Sequence, residues 1–325
     1  MRRVALLLLF AIPGCAAQTG AGAGTPAPPD APSVTSPADD EGPAPAAPTP
    51  APKGLLSLRE AEQYALVLVN KDRAAHGLPP VKWDETAAIA GREHAHDMAT
   101  RGFTGHISSD GDVPEERYTR AGGLQIVWEN AGCFGDGKPR VADPSAKFSA
   151  KSIEDVEKAF MDEVPPNDGH RKNILNPRHN GAGIGLVVTR DLDIVCMSQE
   201  LVDDYGDYEP LPKKLKIGAK IHVAGALRAP ATIAGVGISR IDFGRKRSAA
   251  ELNRTHSYAM PAPYVTYFPR GYRTPIELVI DKARFSIDVP VTQAGKPGLY
   301  GVSVWATFPG SKELVMVSLR TIEVT

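Results

Sequence analysis

Cysteine is scarce. Three occur in 325 residues, which excludes a densely bridged small secreted scaffold. An excess of one charge sign is also missing. The chain has 37 Lys and Arg against 38 Asp and Glu, net −1, and this argues against a nucleic-acid partner. No apolar run is long enough to span a bilayer as a helix; the run Val4 to Ile12 is too short. The Gly-x-Ser-x-Gly elbow of serine hydrolases and the His-Glu-x-x-His spacing of zinc proteases do not occur. The stretch SSDGDVPEE from Ser108 has too few acids at EF-hand spacing for a calcium loop, and it reads as a turn.

The opening MRRVALLLLFAIPGCAAQ has a basic start at Arg2 and Arg3, a short apolar stretch, and small Gly14 before Cys15. It resembles a bacterial lipoprotein signal, with residues 1–14 removed and Cys15 lipidated. Ordinary secretion with an incidental Cys15 is the alternative. Residues 15–53 are Ala, Pro, Gly, Ser and Thr with hardly any large apolar side chain. Such a segment cannot bury enough surface to offset its ordering entropy, so a disordered tether is expected. Cys133 and Cys196 then remain as an even pair in an oxidising compartment. That invites a disulfide, with two buried free thiols as the alternative.

Two folded regions follow, each with its own pattern. In residues 55–209, Leu58, Ala61, Ala65, Leu68 and Val69 recur at helical spacing, and Gly77 is placed to stop that helix. A second helix starts after Asp84 and ends before Gly102. A third is expected in SIEDVEKAFMDE, with Ser152 and Asp155 imitating a capping box and Ile153, Val156 and Phe160 on one face. Strand patterns appear in GLQIVWENAG, GAGIGLVVTR and LDIVCMSQELV. The order predicts an α/β/α sandwich with a mostly antiparallel sheet. In residues 210–325 helix signals disappear, and six to eight short alternating segments predict an all-β, immunoglobulin-like sandwich. Tyr300 stands just inside the first strand of a closing hairpin, where immunoglobulin-type folds place a tyrosine. Charge divides at the same boundary. Residues 210–325 hold 17 basic and 7 acidic side chains, and residues 1–209 hold 20 and 31. The basic half has three readings: docking on an anionic envelope component, lipid or protein partner, packing against the acidic half, or plain solubilising charge.

His76 reads as a solvent-facing helix end. His222 and His256 have no partner pattern. His94 and His96 lie two apart on a helix and point nearly opposite ways, so they cannot share a metal, and a hydrogen-bonded core role suits whichever faces inward. What remains is dispersed: His106 in GFTGHISS, Glu129 in VWENAG, Glu163 in AFMDEV and His170 in NDGHRKNIL.

These motifs run in the order GFTGHISSDG, WENAG, FMDEVPPNDGHRKNILNPRHNGAGIGLVV and CMSQELV. The chain over Leu58 to Val202 resembles the CAP superfamily (cysteine-rich secretory, antigen 5 and pathogenesis-related 1) in its bacterial SCP-like form. The resemblance implies a cleft lined by two histidines and two acids: His106, Glu129, Glu163 and His170. Phe160 occupies the place where many members have tryptophan. Two neutral imidazoles with carboxylates suit zinc or another divalent cation, the glutamates accepting the second ring N–H groups. A metal-free hydrogen-bonded network is the alternative. Asn130, Arg171 and Asn173 neighbour the four in sequence. Arg171 could bridge the cleft mouth or meet an anionic ligand; the asparagines could equally be caps or loop bridges. His179 reads as a turn residue and NDGH as the end of a link delivering His170. Together these point to an exported envelope protein, membrane-attached through its N-terminal lipid or secreted. It would act as a binding module, with metal-assisted hydrolysis of peptide or cell-wall material as the alternative.

Overall fold

A computed structural model describes residues 52–255 and 257–325. The expected signal sequence, Cys15, most of the expected tether and His256 lie outside the described residues. The elements run β1 (Leu55–Leu56), α1 (Leu58–Ala75), β2 (Lys82–Trp83), α2 (Glu85–Arg101), α3 (Pro114–Ala121), β3 (Ile126–Gly132), β4 (Phe148–Ser149), α4 (Ala150–Met161), α5 (Gly169–Ile174), β5 (Gly181–Thr189), β6 (Leu192–Asp203) and β7 (Gly206–Tyr208). They continue β8 (Lys214–Leu215), β9 (Lys220–Leu227), β10 (Thr232–Ile241), α6 (Ala249–Leu252), β11 (Val265–Tyr267), β12 (Val279–Asp281), β13 (Arg284–Pro290), β14 (Gly298–Thr307) and β15 (Val315–Val324). Among the described residues no helix is long and apolar enough to cross a membrane.

The first region is built on a four-stranded sheet in the order β2-β5-β6-β3, antiparallel except where β2 meets β5. Helix α2 packs on one face and α1, α4 and α5 on the other. This is the expected α/β/α layering. Ser57 closes a capping box on α1, Asp84 accepts from Ala87 N–H to start α2, and Gly102 ends α2 in the left-handed conformation. Close helix-to-sheet approach explains the glycines of β5. A Cβ on Gly183 would lie 2.0 Å from Ala88 N, and one on Gly185 would lie 2.1 Å from Arg92 N. Cys133 and Cys196 are joined, tying the end of β3 to the neighbouring β6.

Several local expectations need correction. Leu58 opens α1 but is 40% exposed, because the helix turns its first residue outward. Ser149, not Ser152, caps α4, since its hydroxyl accepts from Ser152 N–H. The turn expected in SSDGDVPEE is followed at once by α3, where Pro114 sits at the first helical turn and Glu115 and Glu116 favour the helix N-terminus.

The second region pairs two sheets around one apolar core. One sheet runs β11-β10-β14-β15-β8 and the other β12-β13-β9-β7. Strand β7, before residue 210, joins the second sheet by pairing with β9. Val223, Phe285, Ile287, Val236, Val302 and Val304 from both sheets meet in the core. The Tyr300 hydroxyl donates to Lys296 C=O at 2.7 Å and accepts from Gln293 N–H at 2.9 Å. Helix is not wholly absent here: α6 is a short capped turn between β10 and β11. The two regions touch directly. β8 pairs with β15 only at Glu323 and Val324, so the first half of that β15 edge is free for the other region. Leu319 N–H donates to Gln125 C=O at 3.3 Å, Ser318 Oγ to Leu124 C=O at 2.6 Å, and Thr321 N–H to Thr119 Oγ1 at 3.2 Å. Covering a sheet edge in this way removes an aggregation-prone template.

Candidate functional site

Three segments deliver the four side chains. The loop between α2 and α3 carries His106, strand β3 carries Glu129, and the link from α4 into α5 carries Glu163 and His170. The structure brings all four together as two matched pairs. His106 Nδ1 donates to Glu129 Oε1 at 2.9 Å. His170 Nδ1 donates to Glu163 Oε1 at 2.6 Å, and His170 N–H reaches Glu163 Oε2 at 2.9 Å. The imidazole centroids are 6.5 Å apart. Phe160 packs on the His170 ring with centroids 4.5 Å apart. The aromatic ring and the carboxylate together fix the orientation of that imidazole.

Each carboxylate holds an Nδ1–H, which leaves each Nε2 with its lone pair. His170 Nε2 is buried without a protein partner. The His106 and His170 side chains remain 18% and 11% exposed, so solvent reaches the pair. No cluster of three or more His, Cys, Asp or Glu side chains able to hold a metal occurs among the described residues. A cation here would have the two imidazoles as its protein ligands.

Beneath His106 lies a buried charge cluster absent from the sequence reading. Arg117 is fully buried and pairs with Glu129 Oε2, and it also donates to His106 C=O at 3.1 Å. Ser198 Oγ contacts Glu129 at 3.3 Å and Glu200 at 3.0 Å. Burial alone would raise the Glu129 pKa, but Arg117, His94 and His106 override it and hold the carboxyl well below its usual range. Glu200 goes the other way. Burial first, and then the charge of Glu129, push it well above the carboxylate range. His94 sits at the base, donating from Nε2 to Gly105 C=O at 2.7 Å, and burial pulls its pKa down to about 4. Within the cluster Arg117 and Glu129 form the direct ion pair. His94 is the hydrogen-bonded core histidine the helix geometry required, and His96 faces solvent.

The neighbours hold the other half. Asn130 is buried and donates to His170 C=O at 3.2 Å and Gln199 Oε1 at 3.0 Å. Asn173 donates to Asn130 Oδ1 at 2.9 Å. Among the described residues Arg171 neither spans the cleft mouth nor forms an ion pair. It donates to Met161 C=O at 2.8 Å and to His76 Nε2 at 3.2 Å, fastening α5 to α4 and α1. His179 is not a simple turn residue. It is 1% exposed, with Nδ1 2.5 Å from Asp203 Oδ1 and Nε2 2.9 Å from Asn173 Oδ1. The network thus runs from His179 through Asn173 and Asn130 to the backbone of His170. His222 pairs with Asp288 on the exposed face of the second region, far from this network in the fold.

Two signals for the missed residues were in the sequence. CMSQELV places Ser198 and Glu200 on a strand lying between two others, where polar side chains need a buried partner. VPEER has the proline and acids of a helix start, which would have put Arg117 on a helix beside His106.

Residues 66–201 match the model of the cysteine-rich secretory protein family (CAP). The chain is 32% identical over 126 residues to the uncharacterized protein YkwD of Bacillus subtilis (strain 168), covering 39% of this chain and 42% of that protein. It therefore spans about two fifths of the length of that curated relative. An extracellular protein containing an SCP domain from Bacillus anthracis str. Ames is similar at 24% identity and a TM-score of 0.34, over 45% of this chain and 43% of that one. An outer surface protein from Borrelia burgdorferi is similar at 14% identity and a TM-score of 0.35, over 46% of this chain and 96% of that one.

Proposed function

With a bacterial CAP, or SCP-like, domain over residues 66–201, we propose that the chain is an exported binding module whose His106/His170 cleft holds a divalent cation. One observation carries the reading. Two imidazoles lie with centroids 6.5 Å apart and tilted by 56°, each with Nδ1–H given to its own carboxylate and each with Nε2 left over. That is the arrangement in which a carboxylate fixes the tautomer of a metal-ligating histidine. Two imidazole nitrogens suit zinc, and the remaining positions would go to water or to a bound ligand. The donor set fits, because the buried, unpartnered His170 Nε2 gains the partner it lacks.

The rest of the chain suits display at a cell envelope. A lipid on Cys15 and a Pro/Ala-rich tether would present the CAP domain, and the joined Cys133 and Cys196 suit an oxidising compartment. The basic second region, an immunoglobulin-like sandwich in this reading, would contact an anionic envelope component. Lys246 and Arg254 are exposed, form none of the ion pairs among the described residues, and are available for it. Metal-assisted hydrolysis is the second reading, with cation-bound water as the nucleophile; Ser198, the hydroxyl that touches Glu129, is fully buried and would take no direct part. Zinc titration of the full chain beside His106→Ala and His170→Ala variants tests the cation site. Equal binding by all three proteins would sink it.

A further inference from the structure

The loop that carries His106 is gripped from outside its own domain. The grip comes from the segment between β10 and β11, residues 242–264, which leaves the second region and crosses the CAP domain. The contacts fall on both sides of His106. Upstream, the Asn253 side chain accepts from Thr104 N–H at 3.0 Å and donates to Gly102 C=O and Gly135 C=O, each at 3.2 Å. Leu252 is 2% exposed and sits in an apolar cluster with Met98, Phe103 and Ala131. Downstream, Arg247 N–H donates to Ser109 C=O at 2.8 Å. The strap crosses the loop again at Gly111. A Cβ there would lie 2.4 Å from Arg245 N, and one on Gly244 would lie 2.8 Å from Gly111 C. Two bare backbones meet at that crossing, and neither glycine has room for a side chain. Finally, the Tyr258 hydroxyl donates to buried Glu115 at the start of α3.

These contacts are one-sided. They bracket residues 102–111 and touch α3, whereas the Glu163/His170 half is held by Asn130, Asn173 and Phe160 from within the CAP domain. We propose that the 242–258 strap is a positioning element for the cleft: the second region sets where His106 stands, with Asn253 as the principal clamp. The two regions then form one functional unit, and the second is more than a targeting module. The outward face of the same strap carries Phe243, Arg245 and Lys246, all exposed. Whatever binds that face shares one piece of backbone with the His106 loop.

The proposal does not depend on the cation reading and is tested without metal. Hydrogen exchange by mass spectrometry and imidazole ¹⁵N NMR are recorded on the full chain, as wild type and as Asn253→Ala. Loss of three side-chain hydrogen bonds should speed amide exchange in peptides covering 102–112 by about tenfold or more. The His106 Nδ1–H signal, which reports the bond to Glu129, should broaden or vanish. Peptides covering 163–174 and the His170 signal should stay as in wild type. If Asn253→Ala fails to fold, Asn253→Asp gives the same pattern at smaller amplitude, since it keeps the acceptor for Thr104 N–H and loses both donors. Unchanged exchange in 102–112 overturns the proposal. So does an equal disturbance of His106 and His170, which would mark the strap as general mortar between domains.

Discussion

The two regions of this chain bury different things. The first region takes Glu62, Arg73, His94, Arg117, Glu157 and Glu200 out of water, most of them on elements that reach the cleft. The second region buries valine, isoleucine, phenylalanine and tyrosine, with Arg320 as the one charged residue among its described buried side chains. Buried charge is expensive unless it is paired. Its concentration under His106 and behind His170 shows where stability has been given up for a fixed arrangement of polar groups. The second region made no such concession, which suits a platform that must hold a strap in place.

Removing one partner of the best-buried pair should break the contrast most severely. Arg117→Met leaves Glu129 charged and uncompensated beneath His106. It should lower the stability of the first region by about 3–5 kcal/mol while the unfolding of the second region is unmoved. Denaturant unfolding followed by region-resolved hydrogen exchange reads both. A loss under about 1 kcal/mol would mean that the buried cluster is not held together by this pair.

A smaller effect, with a definite sign, comes from Glu157. It is 3% exposed on α4, accepts from Gln199, and is pushed up to about 8 by burial and then by the charge of Asp72. The unfolded chain ionises this group near the ordinary value of 4.5, whereas the folded chain keeps its proton to about 8. The folded state thus binds more protons across that window, so its stability falls as pH rises from about 4.5 to 8. Glu157→Gln keeps the shape and an N–H donor for Asp72 and removes the titration. Its melting temperature should match wild type near pH 4.5 and exceed it by several degrees at pH 8. An equal offset at both values would contradict the assignment.

The mildest change is expected where the second region departs from its own rule. Arg320 is 1% exposed and donates to Glu209 C=O at 2.6 Å, but its Nε and Nη2 have no partner. Burial pulls its pKa down to about 10. Its guanidinium also lies 5.2 Å from the Tyr208 ring centroid; Arg320→Met exchanges a buried cation with no carboxylate partner for apolar volume, so the stability of this region should hold or rise by about 1 kcal/mol. A loss of about 2 kcal/mol would place the guanidinium among the stabilising contacts and blur the comparison.

The parts legible in the sequence were those with a local cause. Asp84 and Gly102 mark helix ends because capping is decided within four residues. The glycines of GAGIG lie against α2, a helix distant in sequence, so their close packing has no local cause. His106, Glu129, Glu163 and His170 lie on separate segments, and only their family-like order linked them; no spacing rule could. Arg117 and Glu200 were hidden because their partners come from α3, β3 and β6, which meet only in the folded sheet. His179 looked like part of a turn because its partner, Asp203, is a strand away. The strap was invisible for a related reason. Asn253 reads as a loop residue until its three backbone partners are seen to lie more than a hundred residues away.

The central claim is that two carboxylate-held imidazoles share one ligand, and calorimetric zinc titration of the full chain at neutral pH tests it most directly. One ion per chain should bind in wild type and be lost in both His106→Ala and His170→Ala. Glu163→Gln, which replaces the carboxylate behind His170 with a neutral amide that keeps only one acceptor oxygen, should weaken binding by about 10- to 100-fold without touching Nε2. The same affinity in wild type and all three variants would contradict the claim and leave the four side chains as a structural network.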